Sequence, residues 1–532
     1  MHDLPLFVGL LALVTALAAA AERIRIATPI LLVLAGIAIS LVPGLPNIAL
    51  SPDVVILLFL PPLIYSSAWN MSWPDFKANF NAIFLLAFGL VIFTTVGVAW
   101  VAHTFIPDFS WPMAFVLGST VSTTDPIAGT AIIKKMGLPR RVVTILEGES
   151  LVNDGTGLVV YRYAVLAVTT GQFVLMKAGG DFLLSVVEGI AIGLGLAWVV
   201  KQIHKLTTGT PVVETTLSFI TPFAGYLLAE QWHVSGVLAV LSSGLYLTLR
   251  SSEYMSRRGH LETMGVWNVL TFLLNSIVFV LMGLQLREIL FSNTTTHSFG
   301  RLILYGTIVS LAVIIARFIW VFLVHYMPRL ILSRQKNGLV PSLKLVVVIA
   351  WTGMRGVLSL ATALAIPLTL SNGSLFPQRD LIIFIVYVVI FVTLVLQGLA
   401  LPYLIRLLNI KPDVRAEQNE IKLRIRLASL AIEHLEAEHS MNDEVSDDVL
   451  SVLKHKYETR INRLWLKQGG QKRRHINESE LRETRRIQLE IIRVERAEVT
   501  RLRRTGEHDD EVLRAILFEL DLEEGRLDLE DV

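Results

Sequence analysis

The sequence predicts an all-α polytopic membrane protein. It would have about thirteen transmembrane helices in two inverted repeats with two crossing interrupted helices, followed by a helical cytoplasmic tail. Three observations predict this. Of 532 residues, 53% are hydrophobic and 17% charged, whereas soluble domains carry about 25% charged residues. The apolar residues gather into thirteen segments, most of them close to the roughly 20 residues that cross a hydrocarbon core. Two of those segments, the fifth and the twelfth, are interrupted in mid-span by a charge, glycine and proline.

The segments run approximately 5–21, 26–42, 53–70, 79–104, 112–135, 143–170, 181–204, 211–230, 234–250, 264–290, 300–327, 341–368 and 380–409. The first has a run of small residues from Ala18 to Ala21, as cleaved signals do. Its start lacks the basic residues of a signal peptide, so it reads as an uncleaved span. Connections after odd-numbered segments hold fifteen Lys and Arg, among them Arg23, Lys134, Lys135, Arg140, Arg141, Lys201, Arg250 and Arg258. Connections after even-numbered segments hold four: Lys177, Arg287, Arg301 and Arg379. By the positive-inside rule the N-terminus lies outside and the tail in the cytoplasm, as expected for a multi-pass plasma-membrane protein. The eighth and ninth segments share a very short connection.

Charge marks the domain boundary. Up to residue 410 there are 24 Lys and Arg against 17 Asp and Glu; beyond it there are 23 against 28. Residues 1–410 therefore read as a transmembrane domain and 411–532 as a cytoplasmic helical tail. Apolar residues recur at helical spacing from Ile421 to Ile432 and from Leu489 to Leu502, with a break expected at Gly469-Gly470. The alternating charges of Glu478 to Arg504 fit a solvated helix face. No cysteine is present, which excludes disulfide and thiol chemistry. A net charge of +2 gives no reason to expect nucleic acid.

The third segment carries Pro61 and Pro62 within Phe59-Leu60-Pro61-Pro62-Leu63-Ile64, a kink that a membrane helix tolerates when neighbours satisfy the freed carbonyls. The fifth segment runs Gly118-Ser119-Thr120-Val121-Ser122-Thr123-Thr124-Asp125-Pro126-Ile127-Ala128-Gly129. Pro126 cannot donate to residue 122, so a locally unwound helix is expected, its free carbonyls and the Thr124 and Asp125 oxygens offering hard ligands to a small cation. Unwound backbone at bilayer depth must line a cavity.

The sixth segment holds Glu149, Ser150, Asn153 and Asp154. At 100° per residue they fall in an arc of about 140°, with Glu149/Asn153 and Ser150/Asp154 as i,i+4 neighbours. A polar stripe at membrane depth faces a protein interior or a watery cavity, because a charge facing lipid costs at least ~2.5–3.5 kcal/mol. A structural polar network is the plain reading for Glu147, near the basic loop at 134–141. Asp154 lies deeper and reads as functional.

The twelfth segment repeats the interruption in Thr352-Gly353-Met354-Arg355-Gly356-Val357, with Pro367 beyond. Interrupted helices at matching places in two halves point to inverted repeats crossing near a substrate site. Arg355 would balance the partial negative ends of the broken helices. Arg317, in the eleventh segment, needs a buried partner, and Glu149 is the best-placed acid.

Together, Thr124-Asp125-Pro126, Asn153-Asp154 within Gly148 to Gly155, Arg317 and Gly353-Met354-Arg355-Gly356 resemble the monovalent cation:proton antiporter family of Na⁺/H⁺ exchangers, the NhaP type and its animal relatives. Phe59 to Ile64 resembles the Phe-Leu-Pro-Pro segment of the animal exchangers. The resemblance spans residues 1 to about 410. It implies a homodimer, with a dimerisation domain and a six-helix core that carries the ion by alternating access. It implies a cation held by the side chains of Thr124, Asp125, Ser150 and Asp154, with Glu149 paired to Arg317. Asn153 beside Asp154, where electrogenic relatives carry two aspartates, implies electroneutral exchange of one cation for one proton. Where some relatives have a carboxylate after the third-span prolines, this chain has Tyr65, Ser66 and Ser67.

Electrostatics leads to the same mechanism. A carboxylate in a desolvated pocket is neutralised by either a proton or a cation. Competition for one site, together with a carrier that moves only when occupied, gives obligatory exchange. Asp154 is the expected shared site, and Asp125 would titrate with it as a coupled pair. The transported ions would be H⁺ and Na⁺, with K⁺ or Li⁺ as alternatives, and no cofactor is called for. A K⁺/H⁺ antiporter of the same fold and a cation-responsive sensor signalling through the tail are the competing readings. A channel would show repeated filter loops. A membrane enzyme would need clustered ligands or a nucleophile–base pair, whereas His103, His204, His233 and His325 lie in separate connections.

Overall fold

The computed structural model describes residues 3–24, 26–42, 55–170, 175–207, 209–293, 298–331, 342–370, 373–410, 414–441, 447–467, 478–505 and 510–529. These residues are almost entirely helical, with one isolated β-bridge between Thr369 and Leu375. They form two units, Met1–Pro412 and Asp413–Val532.

The first unit opens with α1 (Asp3–Ile24) and α2 (Thr28–Ser40). A π-helical turn at Val55–Phe59 leads into α3 (Leu60–Asn70). The expected mid-helix kink at Pro61 and Pro62 takes a different form. Both prolines follow the π turn inside a helix continuous over Ile56–Asn70, and the wider turn accommodates their missing N–H groups. Next come α4 (Trp73–Ala78), α5 (Phe80–Phe84), a second π turn at Leu85–Gly89 and α6 (Leu90–Phe105). The Trp320 indole donates to the Leu85 carbonyl in that π turn at 3.0 Å.

The fifth segment is two helices, α7 (Trp111–Ser122) and α8 (Ile127–Lys135). The polar-striped sixth segment is α9 (Arg140–Thr170). It is followed by α10 (Leu175–Leu206), α11 (Pro211–Gln231), α12 (Gly236–Leu249), α13 (Ser251–Tyr254), α14 (Arg257–Leu284) and α15 (Leu286–Asn293). The short connection between α11 and α12 turns at His233, with φ of 60°, and Ser235 caps α12 by accepting from the Leu238 amide. Lys177, expected in a connection, falls inside α10, and Arg301 inside α16 (Phe299–Ile331). The twelfth segment is again broken, into α17 (Leu343–Trp351) and α18 (Val357–Leu364). The last comprises α19 (Arg379–Ile390), a third π turn at Phe391–Leu396, and α20 (Gln397–Leu407). All thirteen apolar segments are thus helices or broken helix pairs. Among the described residues, six helices are long and apolar enough to cross a membrane on length and composition alone.

Two large apolar clusters organise this unit. One joins residues of α2, α6, α7, α16 and α19, including Leu90, Leu117, Val313 and Phe384. The other joins α3, α10, α11 and α12 through Tyr65, Ala197, Tyr226 and Val240. Helix α9 feeds both, with Leu146 and Tyr161 in the first and Leu151 and Leu158 in the second.

The second unit consists of α21 (Val414–Met441), α22 (Asp447–Lys467), α23 (Glu478–Thr505) and α24 (Asp510–Leu529). Lys454 of α22 pairs with Glu436 of α21 at 2.6 Å. Helices α23 and α24 bury Ile492, Val499, Leu520 and Leu527 between them, flanked by Arg496 with Asp521 at 2.5 Å. The expected break at Gly469-Gly470 lies outside the described residues, as do Arg334 and Lys336.

Candidate functional site

The two interruptions meet. Residues 123–126 and 352–356 contain no helix, and the Asp125 amide donates to the Met354 carbonyl at 2.8 Å. The Thr123 and Ser359 hydroxyls lie 3.1 Å apart. Pro126 has no N–H to continue α7, so the helix stops at Ser122 and restarts beyond the proline. Asp125 Oδ1 accepts from the Ile127 amide at 2.9 Å, satisfying one of the unpaired donors at the start of α8.

Several of the carbonyls freed by the breaks have protein partners. Arg355, fully buried, donates from Nε to the Val121 carbonyl at 2.9 Å and from Nη1 to the Gly353 carbonyl. Its amide donates to the Thr393 hydroxyl at 3.1 Å. Ser150 donates to the Thr124 carbonyl at 2.8 Å. Arg317 donates to the Ile349 carbonyl near the end of α17, at 3.3 Å from Nε and 3.1 Å from Nη2. The glycines allow these approaches: a Cβ at Gly353 would collide with the Arg317 guanidinium, and one at Gly356 with the Asp125 carboxylate.

The polar stripe of α9 splits into two faces. Glu149 and Asn153 turn inward, each 1% exposed. Glu149 binds Arg317 through two bonds, Nη1 to Oε1 at 2.5 Å and Nη2 to Oε2 at 2.9 Å. Thr124 Oγ1 donates to Glu149 Oε1 at 3.0 Å and accepts from Asn153 Nδ2 at 2.6 Å. The Thr124 hydroxyl therefore already has an inward donor and acceptor partner. Asn153 Oδ1 is buried without a partner among the described residues.

Ser150 and Asp154 take the other face, toward a cavity of about 590 Å³. Asp125, Asp154, Thr123, Ser359, Ser66 and Ser67 line it, and at one end it reaches the Lys134–Glu147 ion pair, closed at 2.7 Å. Among the described residues, no hydrogen bond reaches the Asp154 carboxylate, and both aspartates are only half-buried, because the cavity wets them. Of the carboxylates lining the cavity, Asp125 and Asp154 lie together away from its Lys134–Glu147 end, while Glu149 is locked to its arginine. Glu147 sits at the cavity's rim in an exposed ion pair, as expected of a structural charge.

Thr271 and Asn275 of α14, and Asn70 of α3, also line the cavity and were not anticipated. Thr271 and Asn275 form an i,i+4 polar pair within the apolar tenth segment, a signal of the same kind as that on α9. No group of three or more His, Asp and Glu able to hold a metal ion occurs among the described residues.

An all-helical, multi-pass membrane protein whose two interrupted helices meet beside paired wet carboxylates has the architecture of a secondary cation carrier. The sequence profile described as "Sodium/hydrogen exchanger, transmembrane" matches residues 9–407. An uncharacterised Na⁺/H⁺ exchanger of Mycobacterium bovis is 35% identical, covering 99% of this chain and 96% of its own. A sodium, potassium, lithium and rubidium/H⁺ antiporter of Bacillus pumilus is 32% identical, covering 71% of this chain and 58% of its own. Among solved structures, the sodium proton antiporter MjNhaP1 from Methanocaldococcus jannaschii shares the fold with a TM-score of 0.58, at 21% identity over 75% of this chain and 99% of that one. The chain belongs to the transmembrane sodium/hydrogen exchanger family, and its activity class is monovalent cation/proton antiport.

Proposed function

We propose that the protein exchanges one Na⁺ for one H⁺ by alternating access, with Asp154 as the group that binds either ion. The observation that carries this reading is the Asp154 carboxylate, which lines the cavity without a hydrogen-bond partner among the described residues. A half-buried carboxylate in that position, beside a second one, is neutralised by a proton or by a cation, and an unoccupied negative charge opposes passage through an apolar barrier. Asp125, held by the Ile127 amide, is the second carboxylate of the site. Ser150 stands one helical turn from Asp154, and a cation would take its hydroxyl oxygen while its proton stays on Thr124. Thr124 also lines the cavity and links Asn153, behind it, to the Glu149–Arg317 pair. Arg355 compensates the negative ends of α7 and α17. The carrier would be a homodimer in the plasma membrane, N-terminus outside, with the unit from Asp413 onward in the cytoplasm.

Exchange of a wider set of alkali cations is the second reading, favoured by the B. pumilus relative, which carries potassium, lithium and rubidium in its name. Purified protein in proteoliposomes, loaded with a pH-sensitive dye and given each chloride salt in turn, separates the two. Proton release on Na⁺ but not K⁺ supports the narrower reading, and equal release on both supports the wider. No release with any cation contradicts transport and leaves a sensor.

A further inference from the structure

The two ends of α9 differ. On the side of Lys134 the cavity of about 590 Å³ leads to Asp154. On the opposite side α9 is sealed against α12. Gly155, the residue after Asp154, lets α12 approach: a Cβ there would stand 3.1 Å from Leu238 Cδ2 and 3.5 Å from Val237 Cγ1. Leu158, one turn further, is buried in the same cluster as Val237 and Leu238. One more turn along the same face, about 12 Å from Asp154 by helical rise, Arg162 pairs through Nη2 with Glu230 Oε1 at the end of α11. The crevice between Leu158, Val237 and this pair amounts to about 10 Å³, enough for about one water molecule.

From this we infer that Arg162 and Glu230 form a latch over the Leu158–Val237–Leu238 seal, and that the latch must break for Asp154 to reach the side opposite Lys134. The inference rests on alternating access as proposed above. The pair joins two differently packed helices, since α9 contributes to both large apolar clusters whereas α11 enters that of α3 and α12 and not that of α7 and α16. At 41% and 32% side-chain exposure, the pair is not enclosed by protein, and ion pairs of that kind contribute little to stability. The apolar layer beneath excludes water while it is shut. By charge distribution the Lys134 side is cytoplasmic, so the latch is at the outer end and the structure is open inward.

The chain has no cysteine, so Arg162→Cys with Glu230→Cys supplies a single thiol pair. In proteoliposomes the oxidised pair should lower cation-driven proton flux at least about tenfold, and reduction should restore it, as for a locked gate. Oxidised and reduced protein running at the same rate would overturn the latch. Unmodified protein without any flux would instead sink the antiport reading on which the latch depends. A second measurement needs no disulfide: Val237→Cys in intact cells is labelled by a membrane-impermeant maleimide from outside. Labelling several-fold faster when Arg162→Ala is added supports the latch, and unchanged labelling contradicts it.

Discussion

Arg355, on the interruption between α17 and α18, donates to the Val121 carbonyl in the last turn of α7 at 2.9 Å. A full charge from one broken helix thus sits at the broken end of the other, joining the two halves of the chain where an uncompensated helix end would be most costly. Replacing Arg355 by alanine strands the Val121 and Gly353 carbonyls, each worth about 1–3 kcal/mol when buried and unsatisfied. Arg355→Ala should lower the melting temperature and yield in detergent. Melting like the parent would show that the guanidinium does not hold the crossing.

The Glu149–Arg317 pair is the most deeply buried ion pair among the described residues, with both side chains 1% exposed. Removing one partner leaves a lone buried charge, at a cost of about 3–5 kcal/mol. Glu149→Gln and Arg317→Ala should each destabilise strongly, and the double mutant by less than the sum of the two. Thermal melts of the four proteins check this, and strict additivity would contradict a coupled pair.

Asp125 has a structural and an electrostatic part that one substitution separates. Its Oδ1 accepts from the Ile127 amide, and an asparagine oxygen can do the same. Asp125→Asn should therefore melt within a few degrees of the parent while losing most cation-driven proton flux. Full flux in a stable Asp125→Asn protein would remove Asp125 from the site.

Much of this was legible in the sequence because membrane helices announce themselves by length and apolarity, and helix breaks by proline. Pro126 marked the end of α7, the spacing of Glu149, Ser150, Asn153 and Asp154 marked one polar arc, and Arg317 required an acid. Pairings across helices were not legible. Nothing local says that Thr124 turns inward to Glu149 and Asn153, that Arg355 and Ser150 bond the Val121, Gly353 and Thr124 carbonyls, or that Arg162 meets Glu230 across 68 positions. The π turns at Val55–Phe59, Leu85–Gly89 and Phe391–Leu396 also escaped notice, since a one-residue widening leaves no pattern in hydrophobicity.

Charge movement follows from Asn153 standing where a second aspartate would make the site divalent. With one negative group neutralised by one H⁺ or one Na⁺, both loaded states carry the same net charge. Exchange at clamped potential, set with K⁺ and valinomycin, should reverse where the Na⁺ and H⁺ gradients balance, at any voltage. A reversal point that moves with voltage would refute electroneutrality and implicate Asp125 as a second proton carrier.

The central claim is that Asp154 is the carboxylate that trades a proton for a cation, and Asp154→Asn tests it most directly. The amide keeps the size of the side chain and disturbs no hydrogen bond among the described residues, so the protein should fold and melt like the parent. Reconstituted into proteoliposomes with a pH-sensitive dye, it should release no protons when Na⁺ is added. Proton release at the parental rate from a folded Asp154→Asn protein would contradict the account.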